Sequence, residues 1–192
     1  MGAYNEIIEV KKNMKYINIF IKKMLKVIDI VENIICASGL WLTSILIFCS
    51  IINRYFLHFP IMWFDDLALY CFIFFMLITS SLTTRERGHT SIDVFRQKIF
   101  QGKPRADNIY SIFLNIVSIV VVAIFLPVTW KFMLRAIKYP EYGTLVRWFN
   151  TSWLMSTLFI AMILILIHLL TLLAKDVDSL KKMNIKYGGD KK

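Results

Sequence analysis

Four long stretches of this 192-residue chain contain no Asp, Glu, Lys or Arg: residues 33–53, 67–84, 108–130 and 148–174. A helix rises about 1.5 Å per residue, so roughly 17 to 25 apolar residues cross the roughly 30 Å of bilayer hydrocarbon. Each stretch is long enough to span. Four such helices would have too little polar surface to close off a core in water, which argues against a soluble helical bundle. Unpaired amides in hydrocarbon cost several kcal/mol, so only helices or closed barrels cross it, and four segments cannot close a barrel.

Reactive chemistry is scarce as well. Cys36, Cys49 and Cys71 all lie in apolar runs with no CxxC spacing, and they read as buried thiols rather than metal ligands or a disulfide framework. There is no P-loop, no Rossmann glycine pattern, no HExxH and no EF-hand ligand series. His58, His89 and His168 fall in separate parts of the topology and share no metal site. The charge-free runs hold none of the acids that intramembrane catalysis or ion coupling would use. Hence neither an enzyme nor a resident cofactor is expected. No secretory signal is expected, because the first apolar run starts only at residue 33 and ends in Asn53, Arg54 and Tyr55 without a small-residue cleavage pattern.

Acidic residues are few: 13 against 23 basic, for a net charge of +10. The basic residues flank the spans, where anionic headgroups and insertion topology account for them, so no nucleic-acid partner is implied. Lys22, Lys23 and Lys26 precede span one, Arg85, Arg87, Arg96 and Lys98 follow span two, and Lys175, Lys181 and Lys182 follow span four. The first connection has only Arg54 against Asp65 and Asp66. That asymmetry predicts both termini inside. The third connection fits less neatly, with Lys131, Arg135, Lys138 and Arg147 against Glu141.

The expected fold is an all-α membrane protein: four transmembrane helices with short amphipathic interfacial helices, N-in and C-in. Residues 1–32 read as a cytoplasmic tail and amphipathic approach helix, 33–174 as the four-span membrane domain and 175–192 as a basic cytoplasmic tail. Phe20, Met24, Val27 and Val31 recur at helical spacing in the approach segment, and Ile92, Phe95 and Ile99 do so after span two. On a helix continuing past Trp130, Lys131, Arg135 and Lys138 share one face while Phe132, Met133, Ala136 and Ile137 share the other.

The short connections carry the candidate contacts. Asn53 and Arg54 close span one, Pro60 interrupts the helix, and Trp63 is suited to the headgroup region. Asp65 and Asp66 then fall at the start of span two, where a carboxylate meets free amides and the positive end of the helix dipole. Arg54 is either a topological residue or a contact of these acids or of a partner. Gly88 is a plausible terminator of span two. His89 and Asp93 read as locally bonded loop residues or as parts of a docking surface. Asn115 and His168 read as ordinary polar groups of the bundle.

Taken in order, N53-R-Y-F, W63-F-D-D-L-A and G88-H-T-S-I-D-V within a four-span plan resemble the small DctQ-like membrane subunit of tripartite ATP-independent periplasmic (TRAP) transporters. Arg54 and Tyr55, Trp63 and Asp66, and Gly88, His89 and Asp93 match that pattern residue by residue, although the acid after the Trp is often Glu there. The resemblance implies a bacterial inner-membrane protein beside a large multi-span transport subunit and a periplasmic substrate-binding protein. It also implies sodium coupling in the large partner and organic-acid cargo such as sialic acids or C4-dicarboxylates. A self-contained small transporter or channel is the alternative.

Overall fold

The computed structural model describes residues 2–59, 63–86, 104–143 and 146–188. Its four long helices are α1 (Gly2–Ile52), α2 (Trp63–Arg85), α3 (Pro104–Lys138) and α4 (Ser152–Gly188). All four are long and apolar enough to cross a membrane. The chain is thus all-α and multi-span.

The helices stand in an open row. α1 packs on α2, α2 on α4 and α4 on α3, and among the described residues no backbone contact closes the row between its ends. Burial follows that order: only 6% of the apolar window of α1 or α3 is buried, against 28% for α2 and α4. Lipid or another protein must therefore cover the two outer helices, since their side chains are apolar and unpacked.

The helices run past the charge-free runs. The approach segment before span one is continuous with that span, since α1 runs without interruption from Gly2 to Ile52. The helix expected past Trp130 is present, as α3 continues through Lys138, passing Pro127 on the way. Adding a residue to an existing helix costs little, and charge excludes a residue from hydrocarbon without excluding it from the helix. The same reasoning explains why the boundaries at 32/33 and 174/175 fall inside α1 and α4. Span four, by contrast, starts later than its apolar run: Trp148 to Asn150 lie in a turn before Ser152. There the Asn150 side-chain oxygen accepts from the Ser152 amide at 2.9 Å, and Tyr142 pairs with Asn150 in an isolated antiparallel bridge. The amphipathic segment around Ile92, Phe95 and Ile99 lies outside the described residues.

α1 and α2 are fastened at three levels. In the middle, Gly39 lets the helices approach so closely that an added Cβ would sit 2.4 Å from Cβ of Phe75. At the short-connection end, Ser50 donates to Asp65 at 2.5 Å. Between the two helices α1 ends in a π-helical turn, Asn53–Leu57, closed by His58 in the left-handed region at φ 54°. The His58 amide donates to the Asn53 carbonyl at 2.8 Å, and the Asn53 side chain donates to the Phe59 carbonyl at 3.0 Å. At the far end the polar cluster described below completes the fastening.

Gly39→Val is expected to lower the stability of the folded chain by about 1–3 kcal/mol, the usual range for overpacking. Unfolding in mixed micelles measures this, and Phe75→Ala in the same chain should restore part of the loss.

Candidate functional site

On α1, Asp29, Glu32, Cys36, Gly39 and Thr43 recur every three or four residues and share the face turned to α2. The corresponding end of α2 carries Thr79, Ser81, Thr84 and Arg85, and α4 contributes His168. Thr79 donates to the Cys36 sulfur at 3.1 Å. The thiols are free, and Cys49 is exposed on α1 instead of buried.

Glu32 is the centre of the cluster. Only 2% of its surface is exposed, and Ser81, fully buried, donates to its Oε1 at 2.8 Å. His168, also 2% exposed, approaches Oε2 at 3.0 Å and Oε1 at 3.2 Å through Nε2. With a carboxylate on that side, the ring's Nε2 carries the proton and donates it. Three helices meet at one carboxylate. One turn away on α1, Asp29 forms an ion pair with Arg85 at 2.9 Å, and Arg85 also reaches Glu86 at 3.2 Å.

A second polar tie joins the other side of the row. Asp176 of α4 is 4% exposed, and Asn115 of α3 donates to its Oδ2 at 2.7 Å. Asn108 donates to the Asp176 backbone carbonyl at 3.0 Å. Asp176 follows His168 by eight residues, or about 12 Å of helical rise. Glu32 thus ties α1 to both α2 and α4, and Asp176 ties α4 to α3. Burying these groups is tolerable because each meets a partner, whereas an unpaired charge there would be costly.

The ligand atoms of Asp29, Glu32 and His168 lie within 4.8 Å of one another, and they are types that bind divalent cations. As arranged, however, Arg85 occupies Asp29 while Glu32 and His168 saturate each other. The cluster works as a brace between helices.

The residues singled out from the sequence are spread over three places. Arg54 and Tyr55 are exposed on the π-helical turn, and Trp63, at the first position of α2, has its ring 4.6 Å from that of Phe64 with the planes tilted by 38°. Asp65 and Asp66 are in the first turn of α2, with Asp65 held by Ser50. No ion pair joins Arg54 to either acid among the described contacts. Gly88, His89 and Asp93 lie outside the described residues. The charge-free runs hold no acids, but the helices extend past them, and Glu32 and Asp176 are buried on those extensions. His168 and Asn115, read as ordinary bundle groups, are the partners of those two acids. The spacing of Asp29 and Glu32, which places both on one helical face, is the one signal in the sequence that could have pointed to this cluster.

The sequence profile of the tripartite ATP-independent periplasmic transporters, DctQ component, matches residues 43–179. The chain belongs to this family. No curated protein sequence matches it closely enough to add a relative. DctQ-family membership makes the chain a small membrane component of a TRAP transporter, which is a transport role and not an enzymatic one. It also implies association with the other components of such a transporter. Ser81, Asn108, Asn115, His168 and Asp176 lie within the matched region, and Glu32 lies just before it.

Glu32→Ala and His168→Ala are each expected to destabilise the chain by about 1–3 kcal/mol, because each leaves a buried polar group without its partner. In a double-mutant cycle followed by unfolding in detergent, the two losses should fall short of additivity. Strict additivity would mean that the Glu32 to His168 contact carries no coupling.

Proposed function

We propose that this DctQ-family chain is the fixed companion of a large sodium-coupled translocating subunit, which it braces while that subunit moves cargo, and that it assists docking of a periplasmic substrate-binding protein. The observation that carries this reading is the closure of Glu32, His168 and Asp176 on partners within the row. Intramembrane ionisable groups that drive ion or solute movement face a water-filled route and change partners, whereas these tie helices together. A body that translocates by rigid movement needs a stationary neighbour to move against. An open row with two lipid-length outer faces suits that neighbour.

In this reading both termini are cytoplasmic, as the lysines before span one and after span four favour. The basic segments 1–32 and 175–192 then lie at the inner leaflet of a bacterial inner membrane, and residues 33–174 form the membrane domain. The π-helical turn with Arg54 and Tyr55, the start of α2 with Trp63, Asp65 and Asp66, and the turn between α3 and α4 face the periplasm. At that last turn a cavity of about 600 Å³ is lined by Arg135, Tyr139, Glu141 and Thr151, giving charged and aromatic groups that a soluble protein can contact. Gly88, His89 and Asp93 are assigned to the cytoplasmic side, as docking or loop residues. Cargo is an organic acid of the sialic acid or C4-dicarboxylate class, and sodium is bound by the large subunit.

Reconstitution tests the division of labour. Proteoliposomes with this chain alone should show no saturable organic-acid uptake, and those with the large subunit, this chain and the binding protein should show sodium-dependent uptake. Selective flux through the isolated chain would instead establish a self-contained transporter. Arg54→Ala and Asp66→Ala are expected to reduce uptake by the whole assembly while leaving the helical content of this chain unchanged. Normal uptake in both variants would remove these residues from the partner contact.

A further inference from the structure

Where α3 meets α4, one cavity of about 600 Å³ combines charge with apolar surface: Phe132, Arg135, Tyr139, Glu141, Thr151 and Met155 all line it. Its walls are fixed. Thr151 donates to the Glu141 carbonyl through its amide at 2.9 Å and its hydroxyl at 2.8 Å, and Ser152 donates to the Ala136 carbonyl at 2.5 Å. The fold does not use the charges in this cavity. Arg135 and Glu141 do not pair with each other, and among the described residues neither side chain has an ion-pair or hydrogen-bond partner.

The cavity lies at the edge of the hydrocarbon. The charge-free run of α3 ends at Trp130, and Arg135 follows about 7.5 Å further along the helix, a rise that matches a headgroup layer about 5–8 Å deep. Tyr139, Tyr142, Trp148 and Trp153 are exposed around it, Trp148 and Trp153 by 70% and 69%, as in the aromatic belt of a membrane boundary. Phe132 and Met155, also exposed, give the same cavity an apolar wall. This depth holds for either leaflet, so it does not depend on the direction of insertion.

We propose that the cavity binds one zwitterionic phospholipid with a primary ammonium, its phosphate on Arg135, its ammonium on Glu141 and the first carbons of an acyl chain over Phe132 and Met155. A guanidinium forks onto phosphate oxygens and an ammonium donates to a carboxylate, so a headgroup carrying both groups on an ethylene link satisfies two opposite charges that stand apart. Other occupants fit only in part. An organic anion or an anionic lipid meets Arg135 but brings no cation to Glu141, and a quaternary ammonium has no N–H to donate. A soluble protein on the charged rim, as read above, leaves Phe132 and Met155 uncovered. The inference concerns this chain alone and does not depend on the companion reading.

Native mass spectrometry of the full chain, released from micelles holding equal amounts of phosphatidylethanolamine, phosphatidylglycerol and phosphatidylcholine, reads the occupant. A single retained phosphatidylethanolamine is expected to predominate. Arg135→Ala and Glu141→Ala should each reduce that adduct by about fivefold or more, the loss of one charge-assisted contact. Helical content by circular dichroism should stay the same, since the fold uses neither side chain. Glu141→Lys should turn the preference towards phosphatidylglycerol, which a purely structural role would not do. Arg147→Ala removes a cation of the same turn that does not line the cavity, and the adduct should persist. Equal retention of the three lipids, retention insensitive to Arg135→Ala and Glu141→Ala, or an equal loss from Arg147→Ala would overturn the inference. A photoreactive residue at Tyr139 that crosslinks in native membranes to protein and not to phospholipid would also overturn it, by assigning the cavity to a docking partner.

Discussion

A carboxylate with almost no exposed surface holds this bundle in register. Glu32 takes a hydrogen bond from Ser81 on α2 and another from His168 on α4, although α1 and α4 make no backbone contact. The reach of the Glu and His side chains thus replaces direct packing between those helices. In water this arrangement would add little, because each group could exchange its partner for solvent. At the edge of a bilayer the exchange is restricted, and the geometry that satisfies Glu32 also fixes the rotation of α1 against α2. The Asp29 to Arg85 pair and the Gly39 to Phe75 contact follow from that rotation.

The polar side of α1 being its inner side has a physical basis. Lipid tails are as apolar as leucine, so burying apolar residues between helices yields little, while close backbone approach and shared hydrogen bonds do favour association. Gly39, Thr43, Cys36 and Glu32 provide both, and the large apolar side chains are left to face outwards. The same logic joins α3 to α4 through Asn115 and Asp176. An open row follows, because each helix needs only one or two polar neighbours to be placed.

The number of spans was readable from sequence because the cost of putting charge into hydrocarbon leaves long charge-free runs. The ends of the helices were less readable. Lysines mark where lipid ends, not where hydrogen bonding along the backbone ends, so α1 and α4 extend well past their apolar runs. The cluster at Glu32 was not read from the sequence. Its spacing from Asp29 is that of a shared helical face, a signal the sequence reading left unused, and its partners are 49 and 136 residues away, found only once the helices are arranged. Asp65 was expected to meet the amides and dipole at the start of α2, where it also accepts from Ser50, a neutral residue without a distinctive pattern. Arg54 and Tyr55 were recognised by their order in the chain and not by any contact that sequence physics could specify.

The unbroken course of α1 gives the chain a lever. A hinge at the bilayer surface would let the projecting end swing independently, but no glycine or proline interrupts the helix between Gly2 and Gly39. The roughly 45 Å from Glu32 to the start of α1, tilting by about 5°, sweeps the tip through roughly 4 Å. Small rotations at the fastening with α2 therefore become side-chain-sized displacements at the far tip, and a force applied at that tip is returned to Glu32 and Ser81 with mechanical advantage.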